Sequence, residues 1–145
     1  MSLKDCVLKA YDIKDNRSCS ESLLVGANEY YGLNLDEKAF LASSAFGGGM
    51  YYDGVCGVIS SSAAVLGMLY STGRAHDSEV MKKTVKEVYT KFIDKLGVYT
   101  CPELKAKYKT DEKRCETMLA TCADVLEEII NENPIINEAL VTKKH

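Results

Sequence analysis

The stretch from Val55 to Leu69 reads Val-Cys-Gly-Val-Ile-Ser-Ser-Ser-Ala-Ala-Val-Leu-Gly-Met-Leu, with three serines as its only polar side chains. A helix that is apolar around its whole circumference has no face to offer water and must be buried. The serines do not break such a helix, because their hydroxyls can bond back to its own carbonyls. The run is also interrupted by Ser60, Ser61 and Ser62, and is shorter than the roughly 20 residues needed to cross a bilayer. It therefore predicts a central helix over about 55–70, with the rest of the chain packed around it. Gly57, Ser61 and Ala64 follow small-residue spacing, which lets neighbouring helices approach closely.

The flanking sequence supplies those neighbours. Leu3 to Lys14 reads as a weakly amphipathic lead-in. Asn16 or Ser18 can cap a helix running from about Cys19 to Tyr31, with Leu23, Leu24 and Ala27 in one stripe and Gly32 as its stop. Asn34 or Asp36 caps the next, Glu37 to Ala45, whose buried face is expected to hold Phe40, Leu41 and Ser44. Three glycines, Gly47, Gly48 and Gly49, then exclude any regular helix. Gly73 ends the central helix on this reading. From Glu79 to Leu96 the pattern is amphipathic, with Val80, Thr84, Val85, Val88, Phe92 and Leu96 facing inward and Gly97 as the C-cap. Thr100-Cys101-Pro102 is a helix start with proline in the first turn. Lys105 to Lys113 reads as a charged loop, and a last long helix runs from about Glu112 to Asn131, ending before Pro134. No alternation of period two is convincing. The fold expected is all-α: a single domain spanning residues 1–145, a bundle of about five helices around the central one.

Composition narrows the function. Eighteen Lys and Arg against 21 Asp and Glu leave a net charge of −3, which gives no electrostatic reason to bind nucleic acid or an anionic membrane. Lys4, Asp5 and Lys9 leave no apolar signal-peptide core, so a cytoplasmic location is the expectation. In that compartment the six cysteines, Cys6, Cys19, Cys56, Cys101, Cys115 and Cys122, stay reduced and read as metal-binding, catalytic or buried. No Cys-x-x-Cys occurs, so any site must be assembled by folding. Cys19, Cys56, Cys101 and Cys115 fall at expected helix starts. There, unpaired amides and the positive end of the helix dipole stabilise a thiolate, the form that ligates metal or attacks. Cys122 has the spacing of a core residue, and Cys6 lies in the lead-in.

The order of these features resembles the redox-active C_GCAxxG_C_C family. Asn16-Arg17-Ser18-Cys19-Ser20-Glu21-Ser22-Leu23-Leu24 is similar to its first cysteine motif. Phe46-Gly47-Gly48-Gly49-Met50 and Gly54-Val55-Cys56-Gly57 resemble its glycine loop and second cysteine. Cys101-Pro102-Glu103-Leu104 and Arg114-Cys115-Glu116 resemble its two C-terminal cysteines. The family's Cys-Gly-Ala-x-x-Gly stands here as Cys56-Gly57-Val58-Ile59-Ser60-Ser61, so Val replaces Ala and Ser replaces the last Gly, with some strain in helix packing expected. The resemblance implies redox activity, a link to transporters, and, through a related domain in split-Soret cytochromes, an iron–sulfur centre. It does not bring haem, since the chain has only His76 and His145 and no haem motif.

Three readings stay open at this level. In the first, Cys19, Cys56, Cys101 and Cys115 converge as ligands of a [2Fe–2S] cluster or of zinc, with Gly47, Gly48, Gly49 and Gly57 bringing backbone amides toward the sulfurs. In the second, the same thiols cycle between dithiol and disulfide without metal. In the third, the thiols are incidental and a surface rich in tyrosine (9 in the chain) meets a partner. The partners expected are an electron donor or acceptor and, for a homodimer, a second copy of the chain; nucleic acid and membrane insertion are not expected. Whether the chain is an enzyme stays open. Outside the cysteines, His76 at a turn, Asp53 before Gly54, and Tyr51 and Tyr52 beside Cys56 are the side chains able to assist such a site.

Overall fold

The computed structural model describes residues 1–145, and its regular structure is helical apart from two isolated β-bridges. Helix α1 (Leu3–Ala10) opens with a reciprocal cap: the Ser2 hydroxyl accepts from the Asp5 amide, and the Asp5 carboxylate accepts from the Ser2 amide. Leu3, Cys6, Val7 and Ala10, spaced along one face, are all buried. The weakly amphipathic lead-in is thus a core helix, and Cys6 is a core residue.

Helix α2 (Cys19–Tyr31) uses the same device with Ser18 and Glu21, and ends at Gly32 with φ of 61°. Helices α1 and α2 meet at Gly26, where a Cβ would lie 2.6 Å from the Val7 Cα. Helix α3 (Glu37–Ser44) is capped by Asp36, but its packing differs from expectation. Ser43 is its one buried residue, while Leu41 is 61% exposed. The short helix lies at the edge of the bundle and has little surface to pack against.

Helix α4 (Gly57–Tyr70) is the central helix, with no exposed residue along its length. It packs against α2, α5 (Glu79–Leu96) and α7 (Glu116–Glu132). It ends at Tyr70, before Gly73, because the Ser71 backbone is already extended. Thr84, Val88, Phe92 and Leu96 form the buried face of α5, and Gly97 closes it with φ of 84°. Between α5 and α7, the charged stretch expected to be loop is half helical: α6 (Cys101–Tyr108) buries only Cys101 and Leu104. A turn from Thr110 to Arg114 follows, so α7 begins four residues later than the charge pattern suggests. The count is seven α-helices, three of them only eight residues long. One continuous apolar core of 29 residues joins them.

Candidate functional site

Local chemistry puts four cysteines at four helix starts. Cys19 and Cys101 are the first residues of α2 and α6, and Cys56 and Cys115 are the cap residues of α4 and α7. Neither cap cysteine uses its sulfur to close its own helix. Long-range backbone bonds then gather the four. The bridge between Val55 and Thr100 sets the Cys56 amide on the Tyr99 carbonyl at 2.9 Å and the Cys101 amide on the Gly54 carbonyl at 2.8 Å. The Cys115 amide donates to the Tyr11 hydroxyl at 3.3 Å, which ties the start of α7 to the end of α1.

Serines lock the remaining wall. Ser61 on α4 donates to the Ser20 carbonyl at 2.7 Å, and Ser20 donates to the Ser43 carbonyl at 3.0 Å, so α2, α3 and α4 are joined beside Cys19. Ser61 is accommodated inside the bundle, since its hydroxyl finds a buried acceptor. Gly57 has to be glycine on steric grounds: a Cβ there would meet the Phe46 carbonyl oxygen at 2.8 Å and the Ser20 Cβ at 3.0 Å.

The glycine loop takes an unusual course. Gly48, Gly49, Met50 and Tyr51 all have positive φ, between 55° and 65°, a run of left-handed backbone that returns to an i+5 bond from the Gly54 amide to the Gly49 carbonyl. Gly47, Gly48 and Gly57 reach the cysteines, but Gly49 does not; it is packed against Gly54. The loop tip is not buried: Tyr51 is 77% and Tyr52 91% exposed, with the Tyr51 ring lying over Gly47 and Gly48.

Together these elements enclose a cavity of about 500 Å³, lined by Cys19, Cys56, Cys101 and Cys115 and by Tyr11, Tyr51, Asp53, Lys105, Lys109 and Arg114. Cys6 and Cys122 lie elsewhere, in the core. Cys122 is fully buried, its sulfur 3.2 Å from the Ser62 hydroxyl, and burial pushes its thiol up to about 12.

The cavity thiols influence one another. The neighbouring Cys115 thiol favours the Cys19 thiolate, but Cys56, burial and the nearby sulfur of Cys101 outweigh it and hold Cys19 up at about 12. The neighbouring Cys19 thiol and then burial push the Cys115 thiol well above its ordinary value, while Lys105 and Lys109 pull the other way. Cys19 and Cys115 thus hold their protons although both stand at helix starts. A sulfur crowded by other sulfurs in a dry site keeps its proton. All six cysteines are unpaired. No three Cys, His, Asp or Glu side chains surround a common point able to hold one metal ion.

Tyr11, Lys105 and Lys109 carry no signal in the sequence, since tertiary packing alone brings them here. The Arg114 guanidinium stacks 3.9 Å from the Tyr11 ring centroid and donates to the Tyr11 carbonyl at 2.7 Å. Its place immediately before Cys115 was the one available hint.

The family described as putative redox-active protein, C_GCAxxG_C_C, matches residues 17–129. The chain belongs to the C_GCAxxG_C_C family. In this C_GCAxxG_C_C protein the matched region runs from just before Cys19 almost to the end of α7, and so contains all four cavity cysteines. No curated protein and no solved structure matches the chain. No helix is long and apolar enough to cross a membrane.

Proposed function

We propose that this protein carries electrons through the thiols of the cavity, with Cys19 and Cys115 cycling between dithiol and disulfide. The observation that carries this reading is that Cys19 and Cys115, at the starts of α2 and α7, line one cavity with both thiols free. Cys19, only partly buried, attacks one sulfur of an incoming disulfide, breaking that bond and releasing one thiol. Cys115 then displaces the second half. A Cys19–Cys115 bond forms, two thiols leave with the protons of the cysteines, and two electrons have passed to the acceptor. Because both cysteines hold their protons tightly, the thiolate is scarce at neutral pH and the reaction is slow unless a cation offsets the charge.

A second reading is favoured by a separate observation, that two further thiols, Cys56 and Cys101, share the same cavity. Four cysteines match an iron–sulfur cluster in type and number, and a cluster spreads its ligands over several irons. A single zinc ion fits less well, since it needs its ligands about one point and no three side chains supply that. Cys19, Cys56, Cys101 and Cys115 would hold the cluster, which when bound supplies one-electron transfer.

Purification without oxygen separates the two. Colourless, iron-free protein that loses two thiols on mild oxidation and yields a Cys19–Cys115 linked peptide supports the dithiol cycle. In that case Cys56→Ser retains it, while Cys19→Ser and Cys115→Ser abolish it. Brown protein with iron and acid-labile sulfide, lost in Cys56→Ser and kept in Cys122→Ser, supports the cluster. Metal-free protein whose thiols resist oxidation until the chain unfolds refutes both.

A further inference from the structure

The rim of the thiol cavity carries charge opposite in sign to the protein as a whole. The chain is acidic, with a net charge of −3, yet three cations and one carboxylate, Asp53, line this cavity. Lys105, Lys109 and Arg114 have no acidic partner; every ion pair in the structure is made by other cations. Arg114 is occupied by Tyr11, but Lys105 and Lys109 are exposed one turn apart on the stretch leading out of α6. Below them the sulfurs are recessed: Cys56, Cys101 and Cys115 are each at least nine-tenths buried. Cys19, which makes the first attack, is only partly exposed in a cavity of about 500 Å³, a volume within the size range of small-molecule sites.

We propose that the oxidant of this site is a small anionic disulfide, one whose carboxylates are drawn in by Lys105 and Lys109. The inference rests on the dithiol reading and names its substrate class. The reaction balances as RS–SR plus the thiols of Cys19 and Cys115 giving the Cys19–Cys115 disulfide and two RSH. The same two lysines act on the Cys115 thiol, which places their charge near the sulfur that completes the exchange.

The test follows thiol loss in the full chain, without oxygen, using three probes: oxidised glutathione (anionic), hydroxyethyl disulfide (neutral) and cystamine (cationic). Each rate is divided by the rate with the urea-unfolded chain, which removes the intrinsic reactivity of the probe. The anionic probe is expected to react about tenfold faster than the neutral one, with the cationic probe slowest and the differences shrinking at high salt. The double variant Lys105→Gln/Lys109→Gln should lose that preference, its normalised rates with the anionic and neutral probes coming together. Equal normalised rates for the three probes, or a preference that survives in the double variant, overturns the charge selection and leaves the dithiol cycle standing. Failure of every probe to oxidise Cys19 and Cys115 overturns the dithiol cycle and this inference with it.

Discussion

Two glycines in helix interiors should respond to alanine in opposite directions. Gly67 in α4 has no atom within 4 Å of the position a Cβ would take. Alanine there adds a methyl into open space and restricts the unfolded chain, so Gly67→Ala should stabilise the fold by about 0.8–1 kcal/mol. Gly26 in α2 has the same helical preference to gain. Its new methyl, however, would lie 2.6 Å from both the Cα and the amide nitrogen of Val7. These are backbone atoms of α1, so no side-chain rotation relieves the contact and the whole helix must shift. Leu3, Cys6, Val7 and Ala10 would move out of the core with it. Overpacking of this kind costs about 1–3 kcal/mol beyond what the helix gains. The two variants should thus differ by roughly 2–4 kcal/mol, or about 6–12 °C in melting temperature for a chain of this size. Urea titration followed by helical circular dichroism, with the slope held constant between variants, measures the difference. If Gly26→Ala unfolds at the same urea concentration as the parent or a higher one, the close approach of α1 and α2 is wrong.

Three further outcomes follow from the site and its surroundings. Ser61→Gly removes the hydroxyl bonded to the Ser20 carbonyl and adds a helix-interior glycine. It should destabilise by about 2 kcal/mol in the same urea assay. Cys122→Ala should cost about 1–2 kcal/mol through lost packing, yet leave the oxidation rate of Cys19 and Cys115 unchanged, as measured by thiol titration. The buried thiols also set a pH dependence. Cys19 and Cys122 hold their protons up to about 12 when folded, against an ordinary value of 9.0. The native state therefore binds more protons than the unfolded state at alkaline pH, and stability must fall as pH rises through that window. Under reducing conditions the melting temperature should be flat across neutral pH and decline above about pH 9; a melting temperature that rises there would contradict the burial of these thiols.

What could be read from the sequence was mostly local. Ser18 with Glu21, Gly32, Gly97 and Pro102 act within one turn of themselves, and each terminates or opens a helix where its chemistry says it should. The central helix was legible because an all-round apolar segment has one destination. The start of α6 was legible but its second half was hidden, since its exposed lysines look like a loop and only Cys101 and Leu104 turn inward. Helix α1 was underrated for a different reason: eight residues give a short stripe, and what fixes it is contact with α2 and α7. The same holds at the cavity. The placement of Cys19, Cys56, Cys101 and Cys115 at helix starts is a local property, while the companionship of Tyr11, Lys105 and Lys109 depends on how three distant segments cross. The protonation of Cys19 and Cys115 depends on it too, because burial among other thiols works against what the helix dipole alone would do.

The opposite-handed turn at Gly48–Tyr51 has an implication for Met50 and Tyr51 themselves. An L-residue with a side chain sits in that backbone at a penalty of about 1–2 kcal/mol, which glycine would escape. Burial recovers little of that loss, since Met50 is 55% and Tyr51 77% exposed. Stability alone would favour glycine at both positions. What the phenol of Tyr51 contributes is exercised at the mouth of the thiol cavity, and what the thioether of Met50 contributes, at the open surface.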